Sequence, residues 1–200
     1  MSNDTLHVCL AQISAVWLDK NATLNKVCNA INEAAQQGGE LVAFGESLLP
    51  GYPFWVDLTG GAKFDNEQQK QFFAHYQRNA IDVDAGDLNA VCAQAKAHKI
   101  AVYLGIIERP QDRTTMSLYC SIVYIDANGD IRSVHRKLMP TYEERLVWSP
   151  GDGHGLKTHA LKGFQVGGLN CWENWMPLAR AALYGQAENL HVAIWPGSER

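Results

Sequence analysis

Short apolar segments bounded by turn-forming residues recur along this chain, and they predict β-strands. In the first of them, Leu6–Ser14, apolar residues alternate often enough to indicate a buried strand. We predict eight strands: Leu6–Ser14, Glu40–Phe44, Ile100–Ile107, Met116–Ile125, Ile131–His135, Leu156–Leu161, Phe164–Asn170 and Leu190–Trp195.

Helical periodicity separates the first two predicted strands. Apolar residues between Leu24 and Ala35 recur at helical spacing, which places them on one face of a helix that ends at Gly38-Gly39. Three further helices are predicted: one over Phe72–Ala80, one over Leu88–Ala95 with Asp87 as its cap, and one that begins near Pro177.

The order of these elements predicts a mixed α/β fold. Strands and helices alternate early in the chain, whereas Asn128-Gly129 favours the tight turn of a hairpin. No repeat or linker divides the sequence, so we predict a single domain over residues 1–200 with largely antiparallel strand pairing.

The charge and the length of the apolar segments exclude several function classes. The net charge is −4, from 17 basic and 21 acidic residues, and no basic run suggests binding to nucleic acid. The longest apolar stretch, Ile100–Ile107, is far shorter than the roughly 20 residues that span a bilayer. Met1–Asp4 lacks the basic start of a signal peptide. We therefore expect a globular, cytoplasmic protein with no membrane partner.

The cysteines and histidines do not form a metal-binding pattern. The five cysteines include no Cys-x-x-Cys pair, and the seven histidines are scattered. Disulfide frameworks and structural zinc sites both favour closely spaced thiols. We predict reduced cysteines and no metal.

Polar residues that follow predicted strands are candidates for catalysis, because loops on a rigid frame commonly carry function. Burial of Glu46 at a strand end would raise its pKa toward that of a general base; an ordinary strand-end carboxylate is the alternative. Lys137 follows a later strand, with a solvated basic patch as the alternative. Glu143 and Glu144 come next, and either could pair with Arg145.

Cys171 lies between the predicted strand Phe164–Asn170 and a helix. Unpaired N–H groups at the start of that helix would lower the pKa of the thiol and favour a nucleophilic thiolate. Gly167-Gly168 would allow another segment to approach closely behind it. A buried structural cysteine is the alternative, and it is the interpretation that we assign to the others: Cys9, Cys28, Cys92 and Cys120.

Together these segments resemble the nitrilase superfamily of carbon–nitrogen hydrolases. Three motifs occur in the order typical of that family: Phe44-Gly45-Glu46, His135-Arg136-Lys137-Leu138-Met139-Pro140-Thr141 and Gly168-Leu169-Asn170-Cys171-Trp172-Glu173-Asn174. Four others are similar as well: Ala11-Gln12, Leu49-Pro50-Gly51-Tyr52-Pro53, Thr141-Tyr142-Glu143-Glu144-Arg145-Leu146-Val147-Trp148 and Trp195-Pro196. The resemblance extends from about Leu6 to Pro196 and departs at Gly45, where many relatives have proline.

The resemblance implies a four-layer α-β-β-α sandwich. Members of the family usually continue well beyond the point that matches Pro196, so we expect the C-terminal part to be missing and the second sheet to be incomplete. An unfinished sheet exposes unpaired backbone groups and apolar surface. We therefore expect the 200-residue chain alone to be poorly soluble or inactive, and the full-length protein to form a homo-oligomer.

The resemblance also implies the roles of four residues. Cys171 would be the nucleophile, Glu46 the general base, and Lys137 the cation that stabilises the developing anion. Glu144 would match a second glutamate that positions substrate and protons. The implied reaction converts a nitrile into a carboxylic acid and ammonia through a thioimidate and a thioester, without a cofactor.

The residues around the nucleophile indicate the branch of the family and the pocket. Cys171-Trp172-Glu173 resembles the nitrilase branch, so a small-molecule nitrile is the expected substrate. We predict that Tyr52, Trp55, Trp172 and Glu173 contact it, with packing in the core as the alternative for Trp55.

Other functions stay open at this point. Within the family they are cyanide hydratase or dihydratase and amidase, and outside enzymes an inactive truncated relative. A papain-like thiol hydrolase would need a histidine base near Cys171, for which His159 and His191 are the candidates.

Overall fold

The computed structural model describes residues 5–111 and 116–197. Residues 1–4, on which the absence of a signal-peptide start was judged, lie outside this range. The strands are β1 Val8–Ala11, β2 Leu41–Phe44, β3 Ala101–Glu108, β4 Tyr119–Ile125, β5 Ile131–Arg136, β6 His159–Leu161, β7 Phe164–Asn170 and β8 Leu190–Ile194. The helices are α1 Lys20–Gln36, α2 Trp55–Leu58, α3 Glu67–Asn79, α4 Asn89–His98 and α5 Pro177–Tyr184. Short 3₁₀ turns occupy Tyr142–Leu146, Gly153–Gly155 and Cys171–Trp175.

The strands form two sheets. The first has the order β1-β2-β3-β4-β5, and the second has the order β6-β7-β8. Strands β1, β2 and β3 are mutually parallel, and so are β7 and β8, whereas the other neighbours are antiparallel. The expected predominance of antiparallel pairing is therefore wrong. Helices cross over between the parallel strands, so each strand after a crossover runs in the direction of the one before it.

The layers follow the order α-β-β-α that the resemblance to the nitrilase superfamily implies. On one face of the first sheet, Phe44 and Val102 pack against Ile31 of α1 and Val91 of α4. The opposite face packs against the second sheet through a separate cluster: Leu41, Ala43, Ala101, Tyr103, Ile122, Tyr124, Val166, Val192 and Ile194. The other face of the second sheet is covered by α5, where Leu183 packs on Leu169. Among the described residues, no helix is both long and apolar enough to cross a bilayer.

Details at the ends of elements differ from the sequence predictions. Strand β1 is shorter than Leu6–Ser14 because only part of that segment finds a neighbouring strand. Asp87 does not cap α4, which has Leu88 as its N-cap. The Asp87 carboxylate instead accepts hydrogen bonds from the backbone N–H of Asp82 and from the Lys20 ammonium.

The interface between the sheets includes a histidine whose titration should be visible in stability. The His159 ring stacks on Tyr124 at 4.1 Å between centroids and lies 2.8 Å from the Ser133 hydroxyl. Burial lowers the pKa of His159 to about 4, and neighbouring basic residues add to this shift. Because the folded-state pKa lies below the unfolded value, the contribution of His159 is complete above about pH 6.5 and is lost as the pH falls toward 4.

We therefore expect His159→Phe, which keeps a stacking ring but cannot titrate, to flatten the pH dependence of unfolding. As the pH falls from 7.5 to 4.5, the unsubstituted chain should lose more unfolding free energy than the variant does. Urea unfolding followed by tryptophan fluorescence measures it. The exposed His154, as His154→Phe, is the control. Parallel pH profiles for the His159 variant and the unsubstituted chain would contradict the expectation.

Candidate active site

Three chain segments bring the predicted polar residues together. Glu46 follows β2, Lys137 follows β5, and Glu144 lies in the 3₁₀ turn Tyr142–Leu146. The Lys137 ammonium donates to Glu46 Oε1 at 2.7 Å and to Glu144 Oε2 at 2.8 Å. These three side chains are almost completely buried. The structure therefore brings together three residues that the sequence analysis singled out separately: Glu46, Lys137 and Glu144.

Lys137 is held as a cation in this buried setting. Burial alone lowers the pKa of Lys137, but the carboxylates of Glu46 and Glu144 outweigh that effect and raise its pKa above the ordinary value. The Trp148 ring lies 5.6 Å from the ammonium and offers its face to the charge. The site thus presents a fixed positive charge inside the protein.

Glu46 combines a raised pKa with a free oxygen. Burial raises the pKa of Glu46 although Lys137 opposes the shift. Oxygen Oε1 accepts from Lys137 and from the Cys120 thiol at 3.3 Å, whereas the buried Oε2 has no hydrogen-bond partner among the described residues. A buried carboxylate with a free oxygen and a raised pKa is suited to accept a proton.

Glu144 is oriented on both of its oxygens. Oε2 also accepts from the backbone N–H of Thr141 at 2.6 Å, and Oε1 accepts from the Tyr52 hydroxyl at 3.1 Å. Tyr52 in turn packs edge-on against Trp148. Glu144 therefore links Lys137 to one of the aromatic residues expected to contact substrate.

Cys171 begins the 3₁₀ turn after β7 and has a positive φ of 50°, which is uncommon for a residue other than glycine. Burial raises the pKa of its thiol to about 12, and the nearby Glu46 carboxylate contributes. The expected lowering of the pKa is therefore wrong. The turn after Cys171 is a short 3₁₀ segment rather than a long helix. Burial outweighs the lowering of the thiol pKa by Lys137 and by the Trp172 N–H. A pKa this high keeps the thiol protonated at neutral pH.

The other cysteines do not all match their predicted burial. Cys120 is buried, but Cys9, Cys28 and Cys92 are only partly so. These three pack against the main core cluster while part of each side chain stays exposed, a difference that periodicity alone does not reveal.

Glu173 joins the segment after Lys137 to the turn of Cys171. Its Oε1 accepts from the backbone N–H of Leu138 at 2.8 Å and lies 2.9 Å from His135 Nε2, and its Oε2 accepts from the backbone N–H of Asn170. The side chain has no exposed surface. Glu173 was expected to contact substrate; its burial and its bonds within the protein instead make it a connection between two parts of the site.

The predicted pocket aromatics lie in different surroundings. Trp55 is buried and packs on Phe72 and Tyr76, which matches the alternative of core packing. Trp172 is 45% exposed and packs edge-on against Trp175. Of the predicted aromatic residues, Tyr52 donates a hydrogen bond to the Glu144 carboxylate, and Trp172 follows Cys171 in the sequence.

The sequence analysis missed two residues at Glu46. Cys120 was interpreted as an ordinary core cysteine, yet its thiol contacts the carboxylate, and its carbonyl accepts from the Lys137 N–H at 2.8 Å. Gly105 lies in β3 beneath Glu46. A Cβ at this position would lie 2.2 Å from the Gly45 carbonyl oxygen and 2.7 Å from Glu46 Cα. A glycine inside an apolar strand is a signal of close backbone approach that could have identified it.

Gly105→Ala should therefore displace Glu46. We expect the free energy of unfolding to fall by about 1–3 kcal/mol, because a methyl group is forced against backbone. We also expect activity to fall about 10- to 100-fold, because small displacements of a reacting group are costly. Gly197→Ala is the matched control, since no atom of the described residues lies within 4 Å of its new Cβ. An alanine variant with unchanged stability and turnover would show that β3 does not position Glu46.

The two histidines considered as bases for a papain-like mechanism lie elsewhere. His159 is in the interface between the sheets, and His191 contacts Glu188 and Asn174. Both are engaged by groups other than the Cys171 thiol.

Comparisons with known proteins agree with this arrangement. The family model described as carbon–nitrogen hydrolase matches residues 7–200. An aliphatic nitrilase of Rhodococcus rhodochrous is 38% identical over 198 residues, covering 97% of this chain and 51% of the relative. An arylacetonitrilase of Hypocrea virens is 38% identical over 197 residues, covering 98% and 56%. The chain thus spans about half the length of these curated relatives.

Solved structures show the same fold. An amidase from Nesterenkonia sp., in complex with butyramide, superposes with a TM-score of 0.70 at 18% identity, covering 97% of this chain and 67% of the amidase. At that level of identity, the likeness concerns the fold.

Proposed function

This chain belongs to the carbon–nitrogen hydrolase family, and we propose that it acts as a nitrilase, hydrolysing an organic nitrile to a carboxylic acid and ammonia. The observation that carries the proposal is the buried Lys137 ammonium bonded to both Glu46 and Glu144. The curated relatives named as nitrilases support the choice of nitrile over other substrates of carbon–nitrogen hydrolases.

The first step needs a base because the Cys171 thiol is protonated at neutral pH. The free oxygen of Glu46 takes the thiol proton while the sulfur attacks the nitrile carbon. One C–N π bond opens, and the nitrogen receives the proton from Glu46, which leaves a neutral thioimidate on Cys171. Lys137 keeps its own proton and stabilises the negative charge that develops on nitrogen.

Two waters complete the reaction. Glu46 removes a proton from the first water as it adds to the thioimidate carbon and passes that proton to the nitrogen, which becomes an amino group. The new hydroxyl then loses its proton through Glu46 to the same nitrogen as the C–N bond breaks, so ammonia leaves a thioester. The second water, activated in the same way, attacks the thioester. The C–S bond breaks, the acid is released, and the thiol regains its proton. Glu144, fixed by Lys137, Thr141 and Tyr52, holds the cation in place throughout.

A product panel tests the proposal and separates it from the other activities of the family. The substrates are aliphatic nitriles, aryl nitriles, arylacetonitriles, cyanide and the matching amides. Acid and ammonia from an organic nitrile support it. Formamide from cyanide, amide as the sole product, or turnover of amides alone would replace it with cyanide hydratase, nitrile hydration or amidase.

The panel is run on the 200-residue chain and on a fusion that adds the C-terminal half of one of the curated nitrilases. Absence of turnover in both, with Cys171 intact, would favour an inactive relative. A single domain over residues 1–200, homo-oligomerisation and a cytoplasmic location stay predictions, which limited proteolysis, light scattering and cell fractionation address.

A further inference from the structure

A row of polar side chains lies behind the Cys171 turn and is not used by the proposed chemistry. Asn174 is in the turn itself, His191 is on β8, and Glu188 lies between α5 and β8. His191 contacts Asn174 on one side of its ring and Glu188 on the other. We call these three residues the His191 network.

The orientation of the Asn174 amide follows from its backbone partners. Its Nδ2 donates to the carbonyl oxygen of Cys171 at 2.8 Å and to that of Leu169 at 3.3 Å. A nitrogen therefore faces the turn, and the amide oxygen faces His191 Nε2 at 2.7 Å. Because an amide oxygen can only accept, Nε2 carries a hydrogen.

The other side of the ring must also share a proton. His191 Nδ1 lies 2.6 Å from Glu188 Oε1, a distance at which two bare acceptors would repel each other. The proton lies on Nδ1 or on the carboxyl group, and either placement makes the contact attractive. The Glu188 side chain is only 2% exposed, with Arg180 3.7 Å from its other oxygen.

The sequence provides the space for this carboxylate. A Cβ on Gly167 would lie 2.1 Å from Glu188 Oε1, so a glycine in β7 is required for the carboxylate to reach His191. Gly167 lies opposite His191 in the pairing of β7 with β8. The network is therefore built into the sheet.

We infer that Asn174, His191 and Glu188 are positioning residues for the nucleophile: they hold the carbonyls on either side of Asn170 and so maintain the left-handed turn at Cys171. A non-glycine residue at positive φ persists only where its surroundings fix it. At Cys171, the hydrogen bond from Asn174 to the carbonyl oxygen provides such a constraint. The inference rests on the proposed role of Cys171 as the nucleophile.

The test compares substitutions that break the network with substitutions that preserve its donors. Asn174→Asp places a carboxylate oxygen against the two carbonyls and should lower kcat about 10- to 100-fold with KM changed less than threefold. His191→Leu should behave similarly. His191→Gln can still donate to Asn174, so its decrease in log kcat should be at least a third smaller than that of His191→Leu. Glu188→Gln can donate to Nδ1 and should lose about tenfold less than Glu188→Ala.

Asn189→Asp is the matched control, since the Asn189 side-chain oxygen accepts from the backbone N–H of Gln165 and aspartate keeps that acceptor. It should leave kcat and KM unchanged. Urea unfolding of each variant shows whether the fold is retained. If Asn174→Asp does not fold, the comparison of His191→Leu with His191→Gln decides the question.

A second measurement separates failure of the inference from failure of the proposed function. The rate of iodoacetamide addition to Cys171, quantified on its own peptide by mass spectrometry, reports the exposure and orientation of the thiol without any turnover. We expect the addition rate to change at least fivefold in Asn174→Asp and to return toward the original value in the conservative variants. Unchanged alkylation, or kcat within twofold in the breaking variants, would overturn the inference. If the unsubstituted protein is inactive both as the 200-residue chain and as the fusion, while its alkylation responds as expected, the proposed function alone would be overturned.

Discussion

Lys137→Met is expected to lower kcat/KM by at least about 10²–10³-fold, because the substitution removes the charged donor that we propose stabilises the reacting nitrogen. It should also destabilise the protein by about 3–5 kcal/mol near neutral pH, since Glu46 and Glu144 would share a buried site without their common cation. Methionine keeps much of the length and apolar surface of the lysine stem, so the effect is mainly that of the lost charge.

The loss of stability in Lys137→Met should depend on pH in a defined direction. Without Lys137, the pKa of the buried Glu46 carboxyl should rise further above its ordinary value, because burial already raises it and the opposing cation is gone. A raised folded-state pKa contributes stability at low pH that is lost as the pH rises. The variant should therefore be closer in stability to the unsubstituted chain at pH 5 than at pH 8.

Steady-state kinetics and urea unfolding at both pH values measure these effects. Lys96→Met, a substitution of the same kind on the exposed face of α4, is the matched control. Equal unfolding free energies at pH 8 for the Lys137 variant and the unsubstituted chain would contradict the coupling of the three charges.

Cys171→Ala should abolish the covalent route, with turnover falling by about 10⁴-fold or more to the background of the assay. The fold should be retained because alanine removes only one buried sulfur atom. Stability above about pH 8.5 should even improve relative to the unsubstituted chain. Burial raises the pKa of this thiol to about 12, so its favourable contribution is present below the ordinary thiol pKa and is lost as the pH rises.

Cys28→Ala is the control, because Cys28 is a partly buried cysteine of α1 whose pKa is also raised by burial. It should leave turnover unchanged. Normal nitrile turnover in Cys171→Ala would exclude this residue as the nucleophile. Mass spectrometry of the unsubstituted chain during turnover provides a separate check, since a trapped thioester adds the acyl mass to the Cys171 peptide.

The strand ends that carry the site could be located from the sequence. Glu46, Lys137 and Cys171 each follow a segment whose apolar pattern is strong over several residues, and the structure has strands there. Their ionisation could not be inferred in the same way. The pKa of Cys171 depends on how much protein surrounds the thiol and on the distance to Glu46, and neither is encoded in the residues next to it.

Glu173 and Cys120 both have side-chain partners that their positions in the sequence do not reveal. Glu173 is two residues from Cys171 in sequence, yet its carboxylate contacts His135 on β5 and the backbone N–H of Leu138 just after that strand. Cys120 lies far from Glu46 in sequence and has no local motif, yet its thiol reaches that carboxylate. Proximity along the chain is a poor guide to side-chain partners once several segments converge.

Apolar periodicity and turn residues located most strands and helices because these patterns arise from contacts within a few residues. The hairpin at Asn128-Gly129 and the start of α5 at Pro177 are of this kind. The direction in which strands pair, the burial that sets the pKa of Cys171 and the joint hold of Glu46 and Glu144 on Lys137 depend on which distant segments meet. Such contacts are selected by the packing of whole sheets and helices, so only the three-dimensional arrangement specifies them.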